Sequence, residues 1–253
     1  MNVMITGAAN GIGSDLARVF FQKSNAILHL VDIDAEGLHE LQAELQENRV
    51  VTYQQDLSDI NGLPKLIQNF MKNANSLDVL INNAGIMFLQ SLATTPWEKA
   101  EKLLVLDLHV PLRLMQLSIP LMKNGGGHII NVSSMAGVTP ITGSAFYSAA
   151  KAGLSIASEI VRNELKDDSI HVTTVYPGPI ATNLESEVRR QIENNLSSQI
   201  LPTGNSKELA ELIFKAYETK DRTLVYPGAY SLFKDFPLAT SFFAEHFSPK
   251  TKK

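Results

Sequence analysis

Short apolar runs alternate with amphipathic segments of helical spacing along most of this chain. The run Val3-Met-Ile5 precedes a segment in which Ile12, Leu16 and Phe20 recur on one helical stripe, and Ala26 to Val31 is again apolar. Strands joined through helices pair in parallel with right-handed crossovers. Runs that are apolar throughout indicate strands covered on both faces. We therefore expect an α/β fold, a doubly wound Rossmann-type sheet of about seven mostly parallel strands with helices on both faces.

The pattern places the elements in a definite order. Strands are expected at residues 3–5, 26–31, 50–53, 77–81, 128–132, 171–175 and 223–226. Helices are expected at 12–23, after a cap at Asp34, at 63–71, from a capping box at 95–98 to about 122, at 145–165 and at 205–220. Composition does not shift along the chain, so we expect a single domain over residues 1–253.

Composition narrows the classes of function. The 253 residues carry a net charge of −4, which gives no basic field for nucleic acid. The sequence has no cysteine, which excludes disulfides and thiolate metal sites, and no metal site is expected. Neither a signal peptide nor an apolar run of membrane-spanning length is apparent, so we expect a cytoplasmic protein. The aromatic-rich C-terminal tail contains few cations, so we do not expect it to bind a membrane.

Three glycines lie between the first strand and the first helix. Gly7, Gly11 and Gly13 allow a tight turn and a close approach of a pyrophosphate to the helix N-terminus. An ordinary glycine turn is the alternative, because the spacing differs from the G-x-G-x-x-G fingerprint by one insertion. The predicted cofactor contacts of this loop are Gly7, Asn10, Gly11, Ile12 and Gly13.

An acidic residue ends the second strand, 19 residues after Gly13. The carboxylate of Asp32 can accept hydrogen bonds from the adenosine ribose and would repel the 2′-phosphate of NADP. Neither Thr6 to Gly13 nor the segment from Asp32 through Ile33 to Asp34 contains Lys or Arg. A helix-capping role is the alternative for Asp32, although Asp34 fits that role better. We therefore predict NAD rather than NADP, with Asp32 and Ile33 among its contacts.

Tyr147 and Lys151 are four residues apart in a predicted helix and so share one face. An ammonium group beside a phenol favours the phenolate and lowers the tyrosine pKa, which suits proton exchange with an alcohol or a carbonyl. Ser134, thirteen residues before Tyr147, follows a strand at the sheet edge where α/β proteins bind ligands. A half-buried aromatic, a solvated lysine and a turn serine are the alternative interpretations.

Together, these segments resemble the short-chain dehydrogenase/reductase family, in its branch of about 250 residues. The resemblance extends over residues 1 to about 182, in the family's order and spacing. The matching segments are Thr6-Gly-Ala-Ala-Asn-Gly-Ile-Gly13, Asp56-Leu57, Asn82-Asn-Ala-Gly85, Asn131-Val-Ser-Ser134, Tyr147-Ser-Ala-Ala-Lys151 and Tyr176-Pro-Gly-Pro-Ile-Ala-Thr182.

The resemblance implies a role for each matching position. Tyr147 is expected to be the general acid/base, Lys151 to tune it and hold the nicotinamide ribose, and Ser134 to bind the substrate oxygen. Ser134 is preferred to Ser133 because it has the family's offset from the tyrosine. Further cofactor contacts are expected at Asp56 and Leu57 beside the adenine, at Asn83, Ala84 and Gly85, and at Pro177, Gly178, Ile180 and Thr182 beside the nicotinamide.

One position departs from the family pattern. Asp107 stands where the family usually has an asparagine that supports a kinked helix and a water chain to the lysine. An aspartate can hold the water through its backbone carbonyl, and it can add a negative charge near Lys151. The alternative is that Asp107 is simply an exposed helix residue. Its role is left open. His109 is expected to be a surface or interface histidine.

The predicted function is NAD-dependent interconversion of a secondary alcohol and a ketone. The alternatives are a low-turnover NAD-binding sensor, or an epimerase or dehydratase on the same scaffold.

The resemblance implies a substrate lid at about 183–204 and a homodimer or homotetramer paired through helices 98–122 and 145–165. Met87, Phe88, Ile141 and Phe146 predict an apolar pocket, and residues 229–253 form an aromatic-rich tail of unassigned role.

Overall fold

Seven parallel strands form one sheet in the order β3-β2-β1-β4-β5-β6-β7. The structure is a computed structural model that describes residues 1–45, 47–122, 126–182 and 203–235. The strands are β1 (Asn2–Thr6), β2 (Ile27–Asp32), β3 (Val50–Gln54), β4 (Val79–Asn82), β5 (Gly127–Val132), β6 (Ile170–Pro177) and β7 (Thr223–Tyr226). The Rossmann-type fold expected from the alternating pattern is confirmed.

Helices connect these strands and cover both faces of the sheet. In chain order they are α1 (Gly11–Lys23), α2 (Ala35–Leu45), α3 (Leu63–Met71), α4 (Trp97–Leu104), α5 (Val110–Met122), α6 (Ala145–Glu164), α7 (Ser206–Thr219) and α8 (Ser231–Asp235). Helices α1, α2 and α7 pack on one face, and α3, α5 and α6 on the other. Each face has its own apolar core, because every strand presents apolar side chains on both sides.

The strand order creates a crevice at the carboxyl edge of the sheet. From β1 the chain first moves outward through β2 and β3, and then returns to place β4 on the other side of β1. The connections after β1 and β4 therefore leave in opposite directions. Open α/β sheets bind ligands at this topological switch point. The loops that follow β1, β2, β4, β5 and β6 all start at this edge.

The predicted helix starts are correct in one case and wrong in another. Asp34 caps α2, since its Oδ1 accepts a hydrogen bond from the amide of Gly37 at 3.1 Å. The capping box expected at 95–98 does not form. Helix α4 begins at Trp97 after Pro96, and the hydroxyl of Thr95 donates to the carbonyl of Ser91 at 2.8 Å instead. Proline at the cap leaves the threonine one position too early to cap the helix.

The long helix expected to reach residue 122 is divided by one π-helical turn, Val105–His109, between α4 and α5. The combined run Trp97–Met122 is long and apolar enough to span a bilayer, contrary to the sequence expectation. Here its α5 part packs against the sheet, with Leu114 fully buried, and its α4 part packs against α6, with Leu103 fully buried. The length and composition of this helical run are therefore equally typical of a helix that packs in a protein core.

Two predicted segments lie mainly outside the described residues. These are the lid, of which only 203–204 are described, and the aromatic tail, which is described to residue 235. A single domain over residues 1–253 stays a prediction.

Candidate functional site

A cleft runs along the carboxyl edge of the sheet and has a wide part and a narrow part. The wide part is lined by Gly7, Asn10, Gly11, Asp32, Ile33, Gln55, Asp56, Leu57, Ala84, Lys102, Leu106 and Ala181. The narrow part is lined by Met87, Asp107, Val132, Ser133, Ser134, Met135, Ala136, Ile141, Tyr147, Lys151, Pro177, Gly178, Pro179 and Ile180. Ile12, Asn83, Gly85, Ile86 and Thr182 line both parts, so the two are continuous.

The loop between β1 and α1 depends on its glycines. Gly7 has a φ of +64°, and a Cβ on it would approach the backbone of Ala84 to 2.8 Å. A Cβ on Gly13 would collide with the carbonyl oxygen of Gly7. Side chains are therefore excluded from the turn, and the backbone itself faces the cleft at the start of α1.

The segment after β4 fixes this loop from beside it. Asn83 donates its side-chain amide to the carbonyls of Thr6 and Gly7 at 3.0 and 3.1 Å. In return, the hydroxyl of Thr6 accepts from the backbone amides of Asn83 and Ala84 at 3.0 and 3.1 Å. Asn83 is thus a brace for the glycine loop as well as a lining residue. The run Asn82-Asn-Ala-Gly85 and the glycine loop form one rigid unit.

Asp32 ends β2 at the rim of the wide part. One carboxylate oxygen accepts from the amide of Ala9 at 2.9 Å, and the other accepts from the amide of Asp34 at 3.0 Å. The side chain of Asn10 donates to Asp34 at 3.0 Å. Two carboxylates therefore stand side by side next to the glycine loop. The alternative role of Asp32 as a helix cap is wrong, since Asp34 caps α2.

The far end of the wide part holds the predicted adenine contacts. Leu57 is buried, and Asp56 accepts from the amide and the hydroxyl of Ser58 at 2.9 and 2.6 Å. These two hydrogen bonds hold the pKa of Asp56 below its usual range, with a smaller contribution from Lys102. Lys102 of α4 was missed by the sequence analysis, because it lies distant in sequence from the glycine loop.

Tyr147 and Lys151 share a face of α6 that borders the narrow part, and both are buried. The Nζ atom of Lys151 lies 5.7 Å from the centre of the Tyr147 ring and donates to the carbonyl of Val132 at 3.1 Å. Burial disfavours the charged lysine, but the carboxylate of Asp107 and then the phenol of Tyr147 together raise the pKa of Lys151 above its usual value. The lysine is therefore a cation placed beside the phenol.

The structure separates the two serines that follow β5. The hydroxyl of Ser133 is buried, donates to the carbonyl of Lys151 at 2.9 Å and bonds the hydroxyl of Ser155 at 2.8 Å. Ser134 instead caps a short turn, accepting from the amide of Ala136 at 3.1 Å, and borders the narrow part with its hydroxyl proton still to donate. This geometry favours Ser134 for contact with a substrate oxygen, as the family offset does.

The opposite wall of the narrow part follows β6. The amide of Gly178 donates to the carbonyl of Tyr226 at 2.7 Å, and Ile180 forms a bridge with Gly204. A Cβ on Gly178 would approach the ring of Tyr230 to 2.7 Å. Pro177, Gly178 and Ile180 all line the narrow part, and Thr182 lies where the narrow and wide parts of the cleft join.

Asp107 lies in the π turn, fully buried, and faces the site. Its Oδ1 accepts from the amide of Ile86 at 2.9 Å, and its Oδ2 forms an ion pair with Lys151 Nζ at 3.1 Å. The alternative of an exposed helix residue is therefore wrong. Burial raises the pKa of Asp107, while Lys151 and the Ile86 amide favour its carboxylate form. His109, two residues further, is exposed as expected.

Two of the four predicted pocket residues reach the cleft. Met87 and Ile141 line the narrow part, whereas Phe88 and Phe146 pack in the apolar cluster behind Tyr147. This cluster holds the helix that carries the phenol. Among the described residues, no group of acidic and histidine side chains could hold a metal ion.

Comparison with known proteins supports the fold and identifies a family. Residues 1–193 match the family described as short chain dehydrogenase. A dehydrogenase/reductase SDR family member 7B from Xenopus tropicalis is 29% identical over 238 residues, covering 89% of this chain and 77% of its own. A short-chain dehydrogenase structure from Streptomyces avermitilis superposes with a TM-score of 0.81 at 26% identity, covering 92% of this chain and 90% of that one. A metagenomic short-chain oxidoreductase in complex with NADP gives a TM-score of 0.73 at 25% identity, with coverage of 89% and 96%.

Proposed function

This chain belongs to the short-chain dehydrogenase family, an oxidoreductase family that uses a nicotinamide cofactor, and we propose that it interconverts a secondary alcohol and a ketone with NAD. The observation that carries the proposal is the shared narrow part of the cleft, which Ser134, Tyr147 and Lys151 all border beside the glycine loop. A phenol, a cation and a hydroxyl donor at one point suit proton transfer to or from a substrate oxygen.

The residues present fit a dinucleotide. The loop at Gly7 and Gly13 excludes side chains, so a pyrophosphate can approach the backbone at the start of α1. Asp32 borders the ribose end, and Leu57 offers an apolar contact for a base beside Asp56. Lys151 lines the other end of the cleft, and its proposed role there is to donate to ribose hydroxyls. The nicotinamide, when bound, supplies the hydride acceptor or donor.

The chain's own residues handle the proton. In oxidation of an alcohol, Tyr147 as phenolate takes the hydroxyl proton while the carbinol carbon loses hydride. In reduction, the Tyr147 phenol returns that proton to the carbonyl oxygen. Ser134 donates a hydrogen bond to the same oxygen and fixes its position, and Lys151 stabilises the phenolate electrostatically.

Charge in the wide part supports NAD over NADP. Asp32 and Asp34 stand together next to the glycine loop, and a 2′-phosphate there would meet both carboxylates. Lys102 is the cation that lines the wide part among the described residues, and its charge acts on Asp56. The ribose end therefore carries net negative charge, which favours a cofactor without the 2′-phosphate.

A panel of secondary alcohols and ketones, each measured with NAD and with NADP at the nicotinamide absorbance, tests the proposal. Substrates with an apolar body are the first choice, because Met87 and Ile141 line the narrow part. We expect turnover with NAD in both directions. Cofactor that stays bound and unchanged while the substrate is altered would indicate epimerase or dehydratase chemistry. Cofactor binding with no turnover across the panel would indicate a sensor.

We also propose that two copies pair through α6. Ile156 and Ile160 lie one turn apart on this helix and are 60% and 52% exposed, which is unusual for isoleucine. Trp97 at the start of α4 is 60% exposed as well. Sedimentation of the wild type and of an Ile156→Glu variant tests this, and we expect a dimer or tetramer that the charge dissociates.

A further inference from the structure

Asp107 connects three separate parts of the narrow cleft. It lies on the π turn between α4 and α5, bonds the amide of Ile86 after β4, and pairs with Lys151 on α6. Its carboxylate fits closely against Gly85, where a Cβ would come within 2.8 Å of Oδ2. The π turn inserts one residue in the helix and so re-aims its side chains, which is a recurrent feature of functional sites.

The pair changes the charge that Tyr147 experiences. Lys151 Nζ lies 3.1 Å from Asp107 Oδ2 and 5.7 Å from the Tyr147 ring centre. Both side chains of the pair are almost fully buried, at 6% and 0% exposure, so solvent screens them little. An isolated ammonium would act on the phenol as a full positive charge. An ammonium paired this closely acts as a dipole, whose effect is smaller.

Other charged side chains of the cleft region lie outside the lining of its narrow part. Among the described residues of the narrow part, the titratable side chains are Asp107, Tyr147 and Lys151. Asp32, Asp56 and Lys102 line the wide part. Lys99 of α4 lies 4.2 Å above the ring of Phe88 in the cluster behind the phenol. Among the described residues, Asp107 and Lys151 are therefore the charged pair that lines the narrow part together with Tyr147.

We propose that Asp107 is a positioning residue that partly cancels the charge of Lys151 at Tyr147, so that the phenol stays protonated to higher pH than beside an unpaired lysine. The proposal rests on the assignment of Tyr147 as the general acid/base. A neutral asparagine at this position would leave the lysine charge uncompensated. A phenol that stays protonated near neutral pH suits the reductive direction, in which Tyr147 gives its proton to the ketone oxygen.

The raised pKa of Lys151 agrees with this arrangement. The carboxylate of Asp107, joined by Tyr147 once that residue is ionised, overcomes the effect of burial and keeps the proton on the lysine. The lysine thus stays a cation and a hydrogen-bond donor while its charge is offset. Asp107 therefore leaves Lys151 able to donate hydrogen bonds and reduces the effect of the lysine charge on Tyr147.

Titration of Tyr147 in the cofactor-free protein tests the proposal without any substrate. Tyrosinate absorbance is measured against pH in the parent protein and in its Tyr147→Phe variant, and the difference isolates one tyrosine of six. Burial raises the pKa of four of the other tyrosines, so they ionise above the ordinary range of tyrosine. The same pair is then measured with Asp107→Asn, in which the amide can still accept from Ile86 but not from Lys151.

We expect Asp107→Asn to lower the Tyr147 midpoint by about one pH unit, a roughly tenfold change in acidity. Asp107→Ser is the second variant if the asparagine protein folds poorly, and it is expected to shift the midpoint in the same direction. Asp167→Asn, at the amino edge of the sheet, removes one charge far from the cleft and should leave the midpoint unchanged. In reduction, the fall of kcat/KM with rising pH should move to lower pH by the same amount.

An unchanged midpoint in Asp107→Asn overturns the proposal and leaves Asp107 a purely structural role. A higher midpoint also overturns it, because Asp107 would then act by keeping Lys151 protonated rather than by cancelling its charge. Failure of the proposed function is distinguishable. A shifted midpoint in a protein with no turnover on any alcohol or ketone contradicts the reaction and leaves the charge coupling intact.

Discussion

Asp32 accepts a hydrogen bond from the backbone amide of Ala9 at 2.9 Å, and this contact joins the end of β2 to the loop after β1. The residue that is predicted to recognise the ribose is therefore also a support of the pyrophosphate loop. Its two carboxylate oxygens keep further acceptor capacity, since each accepts one backbone amide. Cofactor recognition and loop geometry are coupled through one side chain.

We predict that Asp32→Ala lowers NAD affinity and the preference for NAD over NADP, each by roughly 10- to 100-fold, since a hydrogen bond to a charged group contributes about 1.5–3 kcal/mol. Dissociation constants for both cofactors, measured by fluorescence or calorimetry, test this. Asp167→Asn is the matched control and should change neither constant. An unaltered NAD/NADP ratio in Asp32→Ala would remove Asp32 from cofactor selection.

Replacing each of the two serines after β5 with alanine is predicted to affect a different property, stability for Ser133 and turnover for Ser134. Ser133→Ala removes two buried hydrogen bonds and should lower the free energy of unfolding by about 1–3 kcal/mol, with turnover per folded molecule changed less. Ser134→Ala should lower kcat by roughly 10²–10³ and the free energy of unfolding by less than about 1 kcal/mol. Urea unfolding and steady-state rates on both variants distinguish these outcomes. The reverse pattern would exchange the assigned roles.

Replacing Gly85 with alanine tests how closely Asp107 packs, and the same change at Gly228 is the control. A Cβ on Gly85 meets the Asp107 carboxylate at 2.8 Å, whereas one on Gly228 meets nothing within 4 Å. We expect Gly85→Ala to cost about 1–3 kcal/mol of stability and to weaken cofactor binding, because it displaces Asp107. Gly228→Ala should stay within about 0.5 kcal/mol. Equal tolerance of both changes would contradict the packing described for Asp107.

Two buried histidines predict a loss of stability in acid. Burial lowers the pKa of His29 and His128 to about 4, against an ordinary value of 6.5. The unfolded chain therefore binds protons below pH 6.5 that the folded chain does not. Stability is full above that pH and falls as the pH drops from 6.5 to about 4, by roughly 2–3 kcal/mol for each histidine at most.

Urea unfolding at pH 7, 5.5 and 4.5 measures this loss. His128 contacts the hydroxyl of Thr173 at 2.7 Å through Nε2, so His128→Gln keeps a polar group at the site and removes the titration. Its stability should fall less between pH 7 and 4.5 than that of the wild type. An identical pH slope in both proteins would show that His128 does not titrate in the way described.

Periodicity and spacing were sufficient to predict the fold and the order of its elements. The strand runs are apolar on both faces, and the expected starts and ends differ from the observed ones by a few residues. Local contacts were harder to predict. Thr95 fails to cap α4 because Pro96 takes the cap position, and a contact to Ser91 satisfies its hydroxyl instead.

The candidate site was predicted from motifs, except where a contact depends on distant segments. Ile86 directly follows the Asn82-Asn-Ala-Gly85 run, yet its amide matters only because the π turn brings Asp107 to it. Lys102 reaches the wide part from α4, more than 40 residues from the other charged lining residues. A single sequence carries no signal for such pairings, whereas the departure from the family asparagine at position 107 was visible in the sequence.

The most direct test of the proposed chemistry is the Tyr147→Phe variant, assayed with whichever alcohol or ketone the panel identifies. The ring remains to pack in the cluster behind the site, and the hydroxyl alone is lost. We predict NAD affinity within about threefold of the wild type and kcat lower by roughly 10²–10⁴. Turnover close to that of the wild type, with NAD still bound, would contradict the account.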